Sequence, residues 1–255
     1  MKFSIFQDSR KGARRYNQDR LGHWRAPQAL LLALADGMGG YAGGELAAAA
    51  AVEHVAGAFR AQATPQLADP ELFLSRTMQG AHAAVVREGS AAGLGAGPRT
   101  TLVSCVVQGG YAHWSYIGDS RLYLMREGRI IARTKDHTQV QQLIDAGRMR
   151  EEAVASHPDR GKLLRALGGA AAPAPEPAAG ARLARGDILL LCSDGLWGPL
   201  TPRLILTAFI GRDPARALPE LMALAEARGG GDCDNVSAIA MQWHEEAVLD
   251  LFCAA

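Results

Sequence analysis

The sequence predicts an α+β fold, and three observations support it. Strand-like segments form a run in the middle of the chain, helix-like segments come in pairs on either side of that run, and no strand–helix–strand alternation is visible. This order is typical of α+β proteins, because parallel sheets of the α/β class place a helix between successive strands. No internal repeat divides the chain.

The first third of the chain predicts two strands followed by two helices. Phe3–Gln7 alternates weakly between apolar and polar side chains, which indicates a first strand. Ala29–Ala35 is a continuous apolar run that stops at an aspartate and a glycine cluster, as a fully buried strand does. The Ala-rich segment Gly44–Ala61 predicts a helix, and so does Glu71–Arg87, with Pro70 near its first turn.

Four short segments in the middle of the chain predict an antiparallel meander. They are rich in β-branched and aromatic residues and are separated by short breaks that contain glycine. They are Thr101–Gln108, Tyr111–Ile117, Arg121–Met125 and Arg129–Arg133.

The last part of the chain predicts a mixture of helices and strands. Asp136, with Gln139 three residues later, predicts the N-cap of a helix that ends near Gly147. Ala170–Gly180 is rich in Ala and Pro and predicts a surface connection. The remaining predictions are strands at Asp187–Cys192 and Val236–Met241 and helices at Pro202–Ile210 and Ala215–Ala227.

Composition limits the classes of partner. The 255 residues include 27 Lys and Arg against 26 Asp and Glu, which leaves no basic excess for nucleic acid or an anionic membrane. With 48% hydrophobic residues the chain can bury a sizeable core, yet no apolar run reaches the roughly 18–20 residues of a membrane helix. Met1–Arg10 lacks the apolar core of a signal peptide, and the four cysteines form no C-x-x-C pair. We therefore expect a reduced, cytoplasmic protein without nucleic-acid or membrane partners.

Four aspartates lie at the ends of predicted buried strands. Asp36, Asp119 and Asp194 each end such a segment, and Asp234 precedes the last strand. Strands of one sheet system end along a common rim, so these carboxylates could converge there. Clustered carboxylates repel one another, and oxygen-only ligands favour Mg²⁺ or Mn²⁺ over zinc. Two such ions about 3.5–4 Å apart can clamp a phosphoryl group for in-line attack. The alternative of ordinary Asp-Gly turns stays open at this point.

Five ordered motifs resemble those of metal-dependent protein phosphatases of type 2C. They are RRYNQD at residues 14–19, ADGMGG at 35–40, GDSR at 118–121, SDGLW at 193–197 and Asp234-Asn235. The match runs from about residue 10 to residue 242 and is closest to the bacterial form in which the catalytic domain stands alone. The resemblance implies one phosphatase domain over residues 1–255: a β-sandwich of two antiparallel sheets flanked by helix pairs.

The resemblance also implies the metal ligands. Asp36 would bridge two ions, the carbonyl of Gly37 would help to hold one of them, and Asp194 and Asp234 would hold the other. Asp119 resembles the ligand of a third, weaker ion in bacterial members, shared with Asp194. The implied cofactors are two to three Mn²⁺ or Mg²⁺ ions.

The implied activity is hydrolysis of phosphoserine and phosphothreonine by in-line attack of a metal-bridging hydroxide. The catalytic residues would be Arg14, which grips the substrate phosphate, Asp36, and Asp19, which acts through metal-bound water. A guanidinium fork suits phosphate better than an ammonium group does. The implied substrates are phosphorylated proteins, the targets of a bacterial Ser/Thr kinase, and we expect a monomer.

The sequence departs from animal members of the family at two positions. Gln18 replaces a glutamate ligand, and Met38 replaces a histidine proposed as general acid, so a water is expected to protonate the leaving oxygen. Residues 144–164 resemble the mobile flap of bacterial members, with a helical surface insertion as the alternative.

Two other functions stay open. A catalytically weak phosphoprotein-binding module would keep the same fold, but such proteins normally lose metal aspartates. Gly37-x-Gly39-x-x-Ala42 matches a dinucleotide-binding fingerprint. Against that function, Asp36 would point a carboxylate at the pyrophosphate, and no second strand follows the helix.

Overall fold

The computed structural model describes residues 1–38 and 43–245, and within them the chain forms twelve strands and six α-helices. The strands are β1 (Phe3–Arg10), β2 (Arg20–Arg25), β3 (Ala29–Ala35), β4 (Arg99–Thr100), β5 (Leu102–Gln108), β6 (Tyr111–Ile117), β7 (Arg121–Arg126), β8 (Arg129–Arg133), β9 (Leu167–Gly168), β10 (Ala179–Arg182), β11 (Ile188–Cys192) and β12 (Val236–Trp243). The helices are α1 (Gly44–Gln62), α2 (Pro70–Ala91), α3 (Gln139–Asp145), α4 (Asp194–Trp197), α5 (Pro202–Ala208) and α6 (Pro214–Gly229). Short 3₁₀ helices cover Glu151–Ser156 and Gly230–Asp232.

Two five-stranded antiparallel sheets form the centre of the molecule. The first sheet has the strand order β1-β12-β11-β7-β8, and the second has the order β10-β6-β5-β3-β2. The short strands β4 and β9 pair separately. The α+β prediction is confirmed, and so is the sandwich of two antiparallel sheets that the resemblance implied.

Three apolar layers hold the sandwich together. Between the sheets, alternate residues of β3 and β11 such as Leu32 and Leu189 are fully buried. Helices α1 and α2 cover the outer face of the second sheet, and α5 and α6 cover that of the first. Because β3 and β11 are buried on both faces, they are continuous apolar runs, which is why the sequence predicted them well.

The predicted four-strand meander is wrong at its centre. β5 pairs with β6 and β7 pairs with β8, but β6 and β7 belong to different sheets. The break at Gly118-Asp119-Ser120 is therefore a crossing between sheets, where Gly118 adopts a φ of +103°. The apolar pattern of a segment indicates whether the strand is buried but not which strand it pairs with. Because β6 and β7 are both interior strands of a sheet, their patterns look alike although the sheets differ.

The predicted helix cap at Asp136 is also wrong. Thr138 caps α3, because its side-chain oxygen accepts from the Gln141 N–H at 3.1 Å. Asp136 is instead buried and accepts two hydrogen bonds from the Arg121 guanidinium, at 2.8 and 2.7 Å. The long-range need to neutralise a buried arginine overrides the local capping pattern.

The sequence did not predict five short elements, because edge strands, two-residue strands and a single helical turn carry weak periodic signals; they are β2, β4, β9, β10 and α4. Cys105, Cys192 and Cys233 are buried free thiols, while Cys253 lies outside the described residues.

Among the described helices, none combines the length and apolar character needed to cross a lipid bilayer.

Candidate metal and phosphate site

The strand topology brings the four strand-end aspartates to one rim of the sandwich. β3 and β6 both pair antiparallel with β5, so Asp36 and Asp119 follow strands that end at the same edge. β11 and β12 are antiparallel neighbours, so Asp194, after β11, lies near Asp234, before β12. All four line one cleft of about 550 Å³. The cleft is also lined by Arg14, Gln18, Gly37, Met38, Thr101, Gln139, Gly161, Lys162 and Leu163.

The carboxylates lie close enough to perturb one another. Burial raises the pKa of Asp36 well above its usual range, and the charges of Asp19, Asp194, Asp119 and Asp234 raise it further. Burial likewise raises the pKa of Asp119, with Asp194 as the largest charged contributor. Burial and the charge of Asp234 raise the pKa of Asp194 to about 6, although a side-chain hydrogen bond with Asp36 opposes the shift.

The oxygen atoms available in and around this cleft fit a hard divalent cation as ligands. The Oδ1 atoms of Asp19 and Asp194 are buried and accept no hydrogen bond from the described residues. Buried carboxylate oxygens without donors are costly unless a cation neutralises them. In residues 1–38 and 43–245, no three His, Cys, Asp or Glu side chains are arranged to hold a metal ion by themselves. An ion would therefore also need carbonyl or water oxygens, and Mg²⁺ usually keeps several waters.

The backbone around Asp36 is fixed by two threonines. The Thr101 hydroxyl accepts from the Asp36 N–H at 2.9 Å, and the Thr101 N–H donates to the Asp36 carbonyl at 2.9 Å. The Thr100 hydroxyl donates to the same carbonyl at 2.9 Å. At Gly37 a Cβ would overlap the Gly44 carbonyl, so the close approach of α1 requires glycine there. These contacts hold the end of β3 at the cleft.

The crossing turn that carries Asp119 is fixed from two sides. The Gly118 N–H donates to His137 Nδ1 at 3.1 Å, and the His137 N–H donates to the Gly118 carbonyl at 3.0 Å. Trp197 Nε1 donates to the Asp119 carbonyl at 2.9 Å, and the Arg121 guanidinium lies 3.5 Å from the centre of the Trp197 ring. Sequence reasoning assigned no role to Trp197, although it belongs to the SDGLW motif.

Asp19 lies beneath the cleft and does not line it. Its side chain is 2% exposed, and its Oδ2 accepts from the Ser193 hydroxyl at 2.8 Å. Burial raises the pKa of Asp19 to about 7, opposed by hydrogen bonds from Ser237 and Ser193 and increased by the charges of Asp194 and Asp234. Asp19 therefore interacts electrostatically with Asp194 and Asp234 although it does not line the cleft.

Arg14 lies at the cleft, but its observed partner is a carboxylate. Its Nη2 donates to Asp234 Oδ2 at 2.7 Å, and its side chain is 55% exposed. The charge of Asp234 raises the pKa of the Arg14 guanidinium, with smaller contributions from Asp194 and Asp36. A permanently charged, accessible guanidinium therefore faces the aspartate cluster.

The two substituted positions lie where the sequence pattern placed them. Gln18 and Met38 both line the cleft. Gln18 Nε2 donates to Glu45 Oε2 at 3.1 Å, and the Met38 N–H donates to the Arg99 carbonyl at 3.0 Å. Neither side chain supplies a carboxylate or an acid to the cleft.

The segment resembling a flap, residues 144–164, connects α3 to the region before β9 and borders the cleft. Gly161, Lys162 and Leu163 line the cleft. The Gln139 N–H donates to the Lys162 carbonyl at 3.1 Å, so the end of this segment is attached to the start of α3. Glu151, at the start of the 3₁₀ helix, pairs with Arg133 on β8.

The topology around the glycine fingerprint differs from that of a dinucleotide-binding unit. Gly37 is described, whereas Gly39 and Ala42 lie outside the described residues. β3 pairs antiparallel with β2 and β5, and α1 leads directly into α2. In the described part of the chain, no βαβ unit therefore surrounds the fingerprint.

Comparisons with known proteins agree with this architecture. The family model described as Protein phosphatase 2C matches residues 7–223. Serine/threonine protein phosphatase PstP of Mycobacterium tuberculosis strain H37Rv is 40% identical over 213 residues, which are 83% of this chain and 40% of that protein. The chain thus matches less than half the length of this relative. A putative protein phosphatase 2C-type protein of Streptococcus pyogenes is 31% identical over 242 residues, covering 93% of this chain and 95% of that protein.

A solved structure supports the same assignment. The crystal structure of the catalytic domain of the serine/threonine protein phosphatase PstP, in complex with two manganese ions, superposes with a TM-score of 0.81 at 30% identity. The superposition covers 95% of this chain and 99% of that domain. With the family model spanning most of the chain, the protein belongs to the protein phosphatase 2C family.

Proposed function

We propose that this protein is a metal-dependent serine/threonine protein phosphatase that hydrolyses phosphoserine and phosphothreonine in proteins. The observation that carries the proposal is the cleft itself: four strand-end aspartates, three of them with raised pKa values, face the exposed guanidinium of Arg14. The names of the relatives as serine/threonine phosphatases support the substrate class.

The proposed cofactors are two to three Mn²⁺ or Mg²⁺ ions. Asp36 and the Gly37 carbonyl would help to hold one ion, Asp36 with Asp194 and Asp234 a second, and Asp119 with Asp194 a third, with water oxygens completing each set of ligands. When bound, the ions supply charge neutralisation for the phosphoryl group and activation of the attacking water. The buried acceptor atoms without donors and the all-oxygen ligand set support this assignment.

The side chains have separate tasks in this proposal. Arg14 binds equatorial phosphate oxygens, where charge stabilisation contributes most to phosphoryl transfer. Asp36 would be the ligand shared by two ions, and Asp19 would act mainly through metal-bound water. Met38 carries no acidic proton, and no histidine is among the described residues lining the cleft. The leaving serine or threonine oxygen therefore takes its proton from water.

The remaining assignments rest on the family. One phosphatase domain spans residues 1–255, residues 144–164 act as a flap over the cleft, and the protein works as a monomer. Its substrates are the targets of a bacterial Ser/Thr kinase, and its location is cytoplasmic. The contacts of Gly161, Lys162 and Leu163 with the cleft support the flap assignment.

Phosphate release from a phosphothreonine peptide tests the function. We expect turnover with added Mn²⁺, loss of turnover in EDTA and recovery when Mn²⁺ is restored. Full activity in EDTA would contradict the metal dependence. Tight peptide binding without turnover under any divalent ion would favour the binding-module alternative.

A further inference from the structure

Asn235 connects the phosphate-binding and metal-binding parts of the cleft. It directly follows Asp234 and is 5% exposed. Its side chain makes three hydrogen bonds, all to the backbone of the loop between β1 and β2, which we call the Arg14 loop (residues 11–19). Nδ2 donates to the Lys11 carbonyl at 2.8 Å and to the Tyr16 carbonyl at 2.9 Å. Oδ1 accepts from the Gln18 N–H at 2.8 Å.

The chemistry of these contacts specifies an amide. Two carbonyls need two donors on one atom, and one N–H needs an acceptor on the other. A carboxylate of the same shape has no proton for the two carbonyls and would place negative charge against them. An aliphatic side chain would leave all three backbone groups unpaired. The site therefore requires asparagine for its hydrogen bonds and not for its volume.

Neighbouring contacts join the same two segments. The Ala13 N–H donates to the Cys233 carbonyl at 3.0 Å. Gly12 has a φ of +60°, and a Cβ at this position would overlap the Asp234 carbonyl. The Arg14 loop is thus packed with its backbone directly against residues 233–235, and the Asn235 side chain adds three hydrogen bonds between the same two segments.

These contacts set the relation between Arg14 and Asp234. Asp234 Oδ1 accepts from the Asn235 N–H at 2.8 Å, which leaves Oδ2 for the Arg14 guanidinium at 2.7 Å. Asn235 thereby fixes both members of the pair. Its backbone N–H holds the Asp234 carboxylate, and its side-chain amide holds the Arg14 loop. Arg14 itself is largely exposed and cannot be held in place by burial.

We propose that Asn235 is a positioning residue that fixes Arg14 over the metal site, so that phosphate recognition stays in register with the bound ions. The inference rests on the proposed function, because it takes Arg14 as the phosphate-binding group. Loss of the Asn235 amide weakens phosphate binding through Arg14 and leaves the aspartate ligands in place.

Binding of inorganic phosphate to the Mn²⁺-loaded protein, measured by calorimetry, tests this inference. We expect Asn235→Ala to weaken phosphate affinity about tenfold, which corresponds to about 1.4 kcal/mol. Its Mn²⁺ stoichiometry and affinity should stay within threefold of wild type. Arg15→Ala is the matched control, because it removes a neighbouring charge of the same loop, and its phosphate affinity should change less than twofold.

A double-mutant cycle separates positioning from a general structural effect. If Asn235 acts through Arg14, then Arg14→Ala/Asn235→Ala binds phosphate as weakly as Arg14→Ala alone. Additive losses, or a loss of Mn²⁺ affinity as large as the loss of phosphate affinity, would overturn the inference. Asn235→Ser, which is uncharged and keeps a hydroxyl, replaces Asn235→Ala in the cycle if the alanine variant does not fold, with the same expected result.

The outcome for the wild type distinguishes the two proposals. If wild type shows no Mn²⁺-dependent phosphate binding, the proposed function fails and the role of Asn235 fails with it. If wild type binds phosphate and Arg14→Ala weakens that binding while Asn235→Ala does not, only the role of Asn235 is wrong.

Discussion

Arg14 Nη2 lies 2.7 Å from Asp234 Oδ2, so the residue predicted to bind phosphate contacts a residue predicted to bind metal. The two side chains are 55% and 37% exposed. Exposed ion pairs contribute about 1 kcal/mol or less to stability, so this contact matters chiefly for position. It brings the predicted phosphate-binding group into contact with a predicted metal ligand in one cleft.

Replacing Arg14 should separate substrate binding from metal binding. We expect Arg14→Ala to raise the KM for a phosphothreonine peptide about 10- to 100-fold, because charge-assisted hydrogen bonds to the phosphate are lost. Mn²⁺ affinity should stay the same or increase, because a positive charge beside Asp234 is removed. Steady-state kinetics and calorimetry with Mn²⁺ measure the two effects. An unchanged KM would remove Arg14 from the site.

The metal-free protein should become less stable as pH rises. Burial raises the pKa of Asp19 to about 7 and that of Asp194 to about 6, against an ordinary value of 3.8. Between about pH 4 and 7 the folded protein therefore holds protons that the unfolded chain has released. The free energy of unfolding falls with rising pH across this window.

Thermal unfolding in EDTA measures this dependence. We expect the Tm at pH 5.5 to exceed that at pH 7.5 by about 5 °C, with a smaller difference in Asp19→Asn. Saturating Mn²⁺ should raise the Tm more at pH 7.5 than at pH 5.5, because the ions neutralise carboxylates that are ionised only at the higher pH. A Tm that rises with pH in EDTA would show that the aspartates are not under electrostatic stress.

Removing one partner of the buried pair of Arg121 and Asp136 should destabilise the protein far more than removing one partner of a surface pair. Both side chains are buried, and the guanidinium makes two hydrogen bonds to the carboxylate, at 2.8 and 2.7 Å. Breaking a buried pair on one side costs about 3–5 kcal/mol, because the remaining charge is uncompensated. We expect Asp136→Ala to lower the free energy of unfolding by that amount in urea titrations.

The exposed pair of Lys162 and Asp159 provides the control for that measurement. Asp159→Ala should leave the urea midpoint unchanged within error, because water already screens this pair. Equal shifts for Asp136→Ala and Asp159→Ala would contradict the importance assigned to burial.

Local pattern was enough to predict the strands that the core buries on both faces. Strand β3 was predicted with the bounds that the structure has, Ala29–Ala35. The position of the aspartates at strand ends was also predicted correctly. Pattern could not show that β6 and β7 lie in different sheets, because a strand's partner depends on the whole topology. For the same reason the ion pair between Asp136 and Arg121 was not predicted, because the local capping pattern around Asp136 carries no information about a residue on β7.

In the candidate site too, local sequence predicted some features, while others depended on long-range packing. The identities of Asp36, Asp119, Asp194 and Asp234 could be taken from sequence, because each aspartate follows or precedes a recognisable strand. The burial of Asp19 behind the cleft and the contact of Arg14 with Asp234 could not, because both depend on how a loop packs against residues more than 170 positions away.

The measurement that tests the central claim most directly is the Mn²⁺-dependent release of phosphate from a phosphothreonine peptide by Asp36→Asn. Asparagine keeps the shape of the side chain and the backbone contacts with Thr100 and Thr101, but removes the charge that would bridge two ions. A far-ultraviolet circular dichroism spectrum like that of wild type would show that the variant is folded. Its kcat should fall at least about 10³-fold at every Mn²⁺ concentration, as expected when a principal electrostatic contribution to catalysis is removed. Activity within tenfold of wild type would contradict the claim that this aspartate cluster holds the catalytic ions.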